Sequence, residues 1–393
     1  MKKILYLSYH YPFPANKGED LGFREHVTEL LNSKYLNNIK FFFSNFGQEY
    51  PKEINLNADV KVFPVKEYKN KLIKNILRLF YLLFTPYSYG YHVIATKDLK
   101  NEIAKYSPDV VILDYIASYK ALEKIKNYKL IYITHNVETD FWFDIAKLEK
   151  NFFKKICAYI NTYKIYFLEK KISKQAEKIV CVSTSDYAKF SKKYPDKTVI
   201  QPYKIELADR LWKNKEEKTL FFCGPLDFQP NYDASKWLSC NLAPVLSPDI
   251  KIKIAGKGTD CVPNEWKHDN VEFLGFVSKE ELFDLYRESS AFICPIIYGS
   301  GIKMKITEAL KFCTPIIATK EALEGLTYIN IDPILNRDNI EQCKNNIESL
   351  LYNEQELNAY HENLIEQINT FNANRSVKLD DLIKECYGSS EGN

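Results

Sequence analysis

The stretch AFICPIIYGSGIKMKITEALKFCTPIIAT, residues 291–319, contains a strand, a glycine loop, a helix and a second strand in succession. The apolar run AFICPI leads to Gly299 and Gly301, and a segment with helical periodicity then runs into PIIAT. This order predicts two parallel strands of one sheet joined by a helix. We expect the helix to begin near Gly301, where free amides and the helix dipole would form an anion site.

Short β-branched and aromatic runs of the same kind recur along the chain and alternate with longer helical patterns. The second half contains TLFFCG, IKIKIAG and VEFLGF, and the first half contains KILYLSY, IKFFFS, DVKVFPV, DVVILD, KLIYITH and KIVCVS. A long helical region spans residues 141–178. The chain is therefore predicted to be an α/β protein of two Rossmann-like, doubly wound parallel-sheet domains that face a central cleft.

A polar, lysine-rich segment, RLWKNKEEK, separates the two series of strands and lacks a strand or core pattern. A chain of 393 residues suits two domains better than one core. We predict an N-terminal domain over residues 1–208, a linker over 209–217 and a C-terminal domain over 218–372. Residues 373–393 are predicted to form a final helix and tail that pack back on the first domain.

Composition excludes several classes of function. The net charge is only +3, and six of the 54 basic residues are arginines, so nucleic-acid binding is not expected. The nine cysteines lack C-x-x-C pairs, which indicates reduced core thiols and a cytoplasmic location. Pro12 and Pro14 interrupt the apolar N-terminus, which we interpret as a buried strand rather than a signal peptide. Residues 252–260, IKIAGKGTD, do not complete G-x-G-x-x-G, and the chain has no P-loop.

Lys303 and Lys305 place two cations at a predicted helix start, where the dipole favours acids. This arrangement indicates a polyanionic ligand. Glu308 lies one turn further along and can accept hydrogen bonds from the vicinal hydroxyls of a ribose. Phosphates together with a ribose indicate a nucleotide. The alternative is a glycine turn with solvated lysines and a surface glutamate.

The stretch GSGIKMKITEALKFCTPIIATKEALEGL resembles the donor-binding signature of the family 4 glycosyltransferases of the GT-B fold, within the subgroup that has a G-G-G-I-R-L-K-like loop. FFCGPLDFQPNYDASKWL and VEFLGFVSKEELFDLYRESSAFICP are similar to the opening and the middle of the family's C-terminal domain. YHYPFPANKGEDLGFREHVTELL is similar to its first loop and helix, and ITHNVETDFW to its central histidine segment. The resemblance implies transfer of a sugar from a nucleotide sugar.

The resemblance also implies roles for individual residues. Lys303 and Lys305 would hold the donor diphosphate, Glu308 the ribose, and His135 would lie beside the sugar. Gly18 and Lys17, after the first strand, would approach the donor from the other domain. We predict further donor contacts at Gly224, Asp227, Asn231, Gly256, Gly275, Phe276, Gly299, Ser300, Gly301 and Ile302. On the acceptor side we predict His10, Asp114 and Glu138.

The chain departs from the family pattern at two places. Ser300 stands where the E-x7-E motif has its first acid, and no R-x4-K pair follows TLFFCG, so Lys303 and Lys305 must carry more of the phosphate charge. These departures motivate an alternative, a degenerate homologue that scaffolds or regulates an active transferase, but the retained Lys303, Lys305 and Glu308 speak against it. An epimerase or phosphorylase of the same fold is a further alternative, but the motifs of those enzymes are absent.

The resemblance implies retention of anomeric configuration, and we expect front-face attack because no nucleophile is evident. No D-x-D triplet occurs, so neither a metal nor a cofactor is expected beyond a UDP- or GDP-sugar co-substrate. The expected acceptor is a glycan or lipid-linked glycan of a surface polysaccharide or glycoconjugate. The sequence leaves the oligomeric state open.

Residues 67–92 combine lysines with a run of leucines and aromatics, and no run of 18 apolar residues exists to span a membrane. One interpretation of this segment is peripheral attachment at the inner face of the cytoplasmic membrane. The interpretation that we favour is a helix packed on the first sheet.

Overall fold

The computed structural model describes residues 2–13, 18–46, 56–65, 70–215, 217–299, 301–375 and 377–388. The chain forms two compact units. Unit 1 comprises Met1–Tyr203 and Arg375–Asn393, and unit 2 comprises Lys204–Asn374.

The described part of unit 1 is built on a parallel sheet of seven strands in the order β3-β2-β1-β4-β5-β6-β7. The central strands are buried on both faces, as the apolar runs predict. The strands are β1 (Ile4–Ser8), β2 (Ile39–Phe46), β3 (Asp59–Val65), β4 (Val110–Asp114), β5 (Lys129–Thr134), β6 (Lys178–Cys181) and β7 (Thr198–Ile200).

The helices of unit 1 connect these strands. They include α1 (Gly18–Leu31), α2 (Lys71–Phe84), α3 (Tyr89–Ile94), α4 (Lys97–Tyr106), α5 (Glu138–Leu148), α6 (Phe152–Gln175) and α7 (Thr184–Lys193). The region 141–178, predicted as one helical stretch, contains both α5 and α6. The helical stretch is interrupted there because Asn151 caps a new helix. Its Oδ1 accepts a hydrogen bond from the amide of Lys154 at 3.1 Å.

The prediction that residues 67–92 form a helix packed on the sheet is wrong for α2. None of the residues of α2 is buried, and the helix contacts α3 and α6 instead. Its apolar residues recur at helical spacing, but periodicity does not show whether the apolar face is turned towards a core or towards solvent.

The described part of unit 2 has a five-stranded parallel sheet of order β10-β9-β8-β11-β12. Its strands are β8 (Thr219–Cys223), β9 (Lys251–Ala255), β10 (Val271–Gly275), β11 (Ala291–Cys294) and β12 (Ile316–Ala318), and its helices include α8 (Gln229–Trp237), α9 (Lys279–Glu288), α10 (Met304–Phe312), α11 (Ile340–Leu351) and α12 (Glu354–Ala373). The same strand order occurs in β3-β2-β1-β4-β5 of unit 1. Both units therefore have the doubly wound topology that the sequence predicts, in which ligands bind at the carboxyl ends of the strands.

The last described helix, α13 (Leu379–Gly388), belongs to unit 1, where it contacts α1. Within the described ranges, no helix has both the length and the apolar character that a membrane span requires.

Candidate functional site

Three glycines bring the loops at the carboxyl edge of the unit 2 sheet into backbone contact. The amide of Gly224 donates to Ala255 O at 2.9 Å, and the amide of Gly256 donates to Gly275 O at 2.7 Å. A Cβ on Gly256 would lie 2.3 Å from Gly224 O, so no larger residue fits without a shift of the backbone. The lack of a side chain at Gly256 therefore lets the loops after β8 and β9 pack closely at this edge.

The loop after β11 sets the start of α10. Gly299 and Gly301 have φ angles of +110° and +74°, which a right-handed helix cannot contain. The prediction of a helix start near Gly301 is therefore wrong, and α10 begins at Met304 with Lys303 as its N-cap residue. A lysine side chain has only donors and cannot cap amides. The amides at the start of α10 therefore suit an anion.

Lys303 is buried and binds the loop itself. Its Nζ donates to Gly299 O at 2.6 Å and to Gly301 O at 2.9 Å. These contacts hold the glycine loop in its left-handed conformation. Direct binding of a diphosphate by Lys303 stays a prediction.

Lys305 reaches from α10 to the carboxyl end of β8. Its Nζ donates to Asn231 Oδ1 and lies 4.5 Å from the centroid of the Phe222 ring. Burial lowers the pKa of Lys305. The sequence lacks the R-x4-K pair after β8, and Lys305 supplies a cation at that strand end from a different element.

Glu308 lies one turn beyond Lys305 and is half-buried. The hydroxyl of Tyr286 donates to Lys305 O at 3.1 Å and approaches Glu308 Oε2 at 3.4 Å. Burial raises the pKa of Glu308, and Lys311 and the Tyr286 hydrogen bond oppose that effect. The Tyr286 hydroxyl approaches only one of the two carboxyl oxygens, so the carboxyl group retains acceptor capacity beside Lys305.

The other predicted donor residues occupy different surroundings. Asn231 is buried and its Nδ2 donates to Pro225 O at 3.0 Å, whereas Asp227 is exposed and pairs with Lys257 at 3.0 Å. Phe276 is exposed directly after β10, and Ile302 is half-buried. Gly18 is the first residue of α1. Lys17 and Ser300 lie outside the described residues, so their predicted roles stay predictions.

The unit 1 sheet ends in a buried hydrogen-bond network around Asp114. Its carboxylate accepts from the hydroxyl of Tyr6, from His26 Nδ1 at 2.8 Å and from His135 Nε2 at 2.6 Å. His135 Nδ1 lies 2.6 Å from the hydroxyl of Tyr203. The network fixes the ring of His135, whose side chain is 14% exposed.

Charge pairing keeps Asp114 ionised despite its position. Burial alone would raise the pKa of this carboxyl group, but His26 and His135 hold it well below its usual range. Burial would lower the pKa of His26, and Asp114 raises it. The ligand-type atoms of the three residues lie within 4.8 Å of one another, a set that can hold a metal ion, but hydrogen bonds pair them directly here.

Three members of this network, Tyr6, His26 and Tyr203, were not identified from the sequence. Tyr6 is one of the 28 tyrosines of the chain, and His26 lies within α1, 88 residues from Asp114. No local motif marks either position. Of the predicted acceptor-side residues, Asp114 is fully buried, and His10 lies after β1 with its ring 6.1 Å from that of Phe23.

Glu138, the third predicted acceptor-side residue, is also buried, at the start of α5. The Tyr115 hydroxyl donates to its Oε2 at 2.8 Å, and its own amide donates to Glu169 Oε1 at 2.7 Å. Burial raises the pKa of Glu138 to about 8 and, with less effect, that of Glu169 to about 7. The Glu138 carboxyl group is therefore protonated at neutral pH, and contact with an acceptor stays a prediction.

This protonation gives Glu138→Gln a pH-dependent effect on stability. Between the unfolded pKa of about 4.3 and the folded pKa, only the folded state holds the proton, so wild-type stability falls by up to about 1.4 kcal/mol per pH unit as pH rises. Above the folded pKa the loss levels off. We expect the unfolding midpoint of Glu138→Gln to rise relative to that of the wild type as the pH increases from 5 to 8, which thermal unfolding measures. Glu177→Gln, at an exposed position of unit 1, is the control. A constant difference across this range would contradict the prediction.

Comparison with known proteins relates unit 2 to a family. Residues 217–353 match the family described as "Glycosyl transferases group 1". Residues 217–353, which lie within unit 2, are therefore similar to a group 1 glycosyltransferase domain. A Klebsiella pneumoniae protein, "Uncharacterized 44.6 kDa protein in cps region", is 23% identical over 360 residues, which cover 83% of this chain and 84% of that protein.

Solved structures are similar to this protein over nearly the whole chain. One is "Trehalose-6-phosphate from E. coli bound with UDP-2-fluoro glucose", with a TM-score of 0.62, 11% identity, and coverage of 98% of this chain and 99% of that one. Another is Anabaena HepE in complex with UDP and glucose, with a TM-score of 0.58, 13% identity, and coverage of 99% and 100%. At these identities the likeness shows the GT-B fold, which confirms the predicted fold class.

Proposed function

We propose that the protein transfers a sugar from a UDP- or GDP-sugar to a glycan or lipid-linked glycan acceptor during surface polysaccharide synthesis. The observation that carries this proposal is Lys305, whose ammonium lies beside Asn231 and the open start of α10. The cps-region origin of the Klebsiella pneumoniae relative supports the polysaccharide context. The UDP complexes of the similar structures support a nucleotide-sugar donor.

In this proposal the donor diphosphate binds at the carboxyl edge of the unit 2 sheet. Lys305 and the first amides of α10 neutralise the charge that develops on the leaving diphosphate, and Glu308 accepts from the ribose hydroxyls. Because these groups supply the positive charge, the reaction requires no metal ion. Transfer proceeds with retention, and the leaving phosphate takes the proton of the acceptor hydroxyl.

We assign the acceptor to unit 1. His135 is the candidate there because Asp114 and Tyr203 fix its ring while its side chain remains partly exposed. Because both ring nitrogens are engaged in these hydrogen bonds, the exposed part of the ring can position an acceptor by packing against it, and proton transfer by His135 is not expected.

Thermal unfolding with UDP, GDP, ADP, CMP and dTDP tests the donor site. A nucleotide at about 100 times its dissociation constant adds about 2.7 kcal/mol, which should raise the unfolding midpoint by about 5–10 °C. We expect one nucleotide to stabilise the wild type but not Lys305→Ala.

Lys267→Ala is the matched control, because Lys267 is an exposed cation that precedes β10, at the opposite edge of the same sheet. This variant should respond to the nucleotide as the wild type does. Equal stabilisation of the wild type and Lys305→Ala would reject the assigned site. Transfer measured with excess EDTA tests the metal independence, and loss of activity that Mg²⁺ or Mn²⁺ restores would contradict it.

A further inference from the structure

Helix α2 turns its apolar face to solvent. Six of its large apolar side chains are at least 50% exposed: Leu72, Ile76, Leu79, Phe80, Leu83 and Phe84. Phe84, at 72%, is the most exposed of them. Their spacing of three and four residues places them along one side of the helix. A surface helix of a soluble domain normally has the opposite orientation, with its apolar face inwards.

Helices α5 and α6, which neighbour each other, extend this exposure. Phe152 and Phe153 at the start of α6 are 70% and 76% exposed, and Tyr163 and Phe167 follow further along the same helix. On α5, Phe143 is exposed and its ring lies 5.9 Å from that of Tyr159 on α6. Exposed aromatics in this number mark an interaction surface rather than scattered surface residues.

Lys164 joins α2 to α6. Its Nζ donates to Tyr81 O at 2.7 Å and to Thr85 O at 2.6 Å, which are carbonyl groups at the carboxyl end of α2. This lysine thus satisfies helix-end acceptors and holds the two helices together. We call the exposed apolar side chains of α2, α5 and α6, together, the apolar surface of unit 1.

Cations outnumber acids on α2 and α6, whereas α5 also carries acids, among them the exposed Asp144 beside Phe143. Residues 71–84 contain Lys71, Lys74 and Arg78 and no acid, and residues 150–168 contain four lysines and no acid. The chain as a whole has nearly balanced charge, with 54 basic and 51 acidic residues. The segregation of positive charge therefore belongs to this surface and not to the composition.

We propose that the apolar surface of unit 1 binds the surface of an anionic phospholipid bilayer. Helices with exposed leucine and aromatic side chains and flanking cations lie in the interface between headgroups and acyl chains. The apolar side chains enter the acyl boundary, and the lysines contact lipid phosphates and anionic headgroups.

The charge pattern favours a lipid surface over a second copy of the chain. Two copies that met through this surface would bring the cations of α2 and α6 together, and the few acids of α5 would offset only part of that charge. Such like-charge contacts are costly at an interface. An anionic bilayer instead supplies a counter-charge to every cation, together with an apolar layer for the exposed side chains.

Co-sedimentation with vesicles tests the proposal without reference to the donor site. Vesicles of phosphatidylcholine with 30% phosphatidylserine should bind the wild type, and vesicles of phosphatidylcholine alone should bind it less. We expect Phe80→Ser/Phe84→Ser to weaken binding about ten-fold or more. Because Phe80 and Phe84 are exposed, these substitutions should leave the fold intact, which circular dichroism checks.

A matched pair of charge reversals tests the electrostatic part. Lys154→Glu/Lys155→Glu on α6 should weaken binding to the anionic vesicles about ten-fold or more. The control is Lys192→Glu/Lys193→Glu, which reverses an exposed lysine pair on α7, away from the apolar surface. Equal loss in the two variants would overturn the proposal, since general attraction by net charge would then explain the binding.

Insertion is measured with a tryptophan reporter. Because the chain has four native tryptophans, quenching is compared with that of the wild type. The tryptophan of Phe84→Trp should add quenching by vesicles with brominated acyl chains, whereas that of Tyr187→Trp on α7 should add none. Absence of quenching at position 84 would overturn the proposal. The proposal would also be overturned if the wild type did not bind the vesicles but formed a dimer, and if the substitutions Phe80→Ser/Phe84→Ser dissociated that dimer. Neither result would depend on nucleotide binding or sugar transfer.

Discussion

Lys305→Ala is expected to lower the rate of sugar transfer by about 10²–10³, the loss that follows removal of one charge-stabilising donor, about 3–4 kcal/mol. The sequence offers no R-x4-K pair after β8, and Lys303 already donates to two carbonyls of its own loop. Lys305 is therefore the lysine placed to face the developing charge of the diphosphate. The prediction is tested by measuring kcat of the wild type and of Lys305→Ala at saturating donor concentration.

Lys305→Met separates the charge of the side chain from its packing. The methionine keeps an apolar stem over the Phe222 ring, so its unfolding midpoint should stay close to that of the wild type. The rate should nevertheless fall as far as in Lys305→Ala. Lys267→Ala should retain wild-type turnover. Near-normal kcat in Lys305→Met would reject the role assigned to this ammonium.

Lys303→Ala should behave differently from either Lys305 variant. Its side chain holds Gly299 and Gly301, so its loss should loosen the loop and raise KM for the donor more than it lowers kcat. A loss confined to kcat would instead indicate that Lys303 contacts the diphosphate in the transition state.

Local sequence predicts the unit 2 site well because its parts lie within a few residues of one another. The strand, glycine loop and helix around Lys305 and Glu308 form a single strand–helix–strand unit, and strand-end glycines mark the neighbouring loops. The helix start was misplaced because the positive φ angles of Gly299 and Gly301 depend on the loop that Lys303 stabilises. β7 was not predicted, because its sequence TVI lies between polar residues, whereas the equally short β12 lies within the apolar run PIIA.

Unit 1 is harder to predict because its features depend on long-range contacts. The partners of Asp114 come from β1, α1 and the segment after β5, and no spacing in the sequence relates them. The orientation of α2 is a similar case. Its pattern predicts an amphipathic helix correctly, but the direction of the apolar face is set by which neighbours it contacts.

Asp114→Asn is expected to destabilise unit 1 by about 3–5 kcal/mol, the usual cost of removing one partner from a buried ion pair. For a domain of 150–250 residues this corresponds to a fall of roughly 10 °C in the unfolding midpoint. An asparagine has one acceptor oxygen and turns an amide donor towards the donors of Tyr6, His26 and His135. His26 then loses its counter-ion in a buried position.

The difference between the wild type and Asp114→Asn should depend on pH. The folded pKa of Asp114 is depressed, so its contribution is present above the unfolded pKa of about 3.9 and is lost as pH falls below it. The folded pKa of His26 is raised, so its contribution is present below the unfolded pKa of about 6.5 and is lost as pH rises through the folded value. The difference should therefore be largest between about pH 4 and pH 6.5.

Thermal unfolding of both proteins at pH 5.5 and pH 8.5 measures this difference. Asp196→Asn, at an exposed position of unit 1, changes the same functional group without a buried partner and should match the wild type at both pH values. If Asp114→Asn unfolds within about 2 °C of the wild type at pH 5.5, the carboxylate does not hold a charged His26, and the ring of His135 must be fixed by Tyr203 alone.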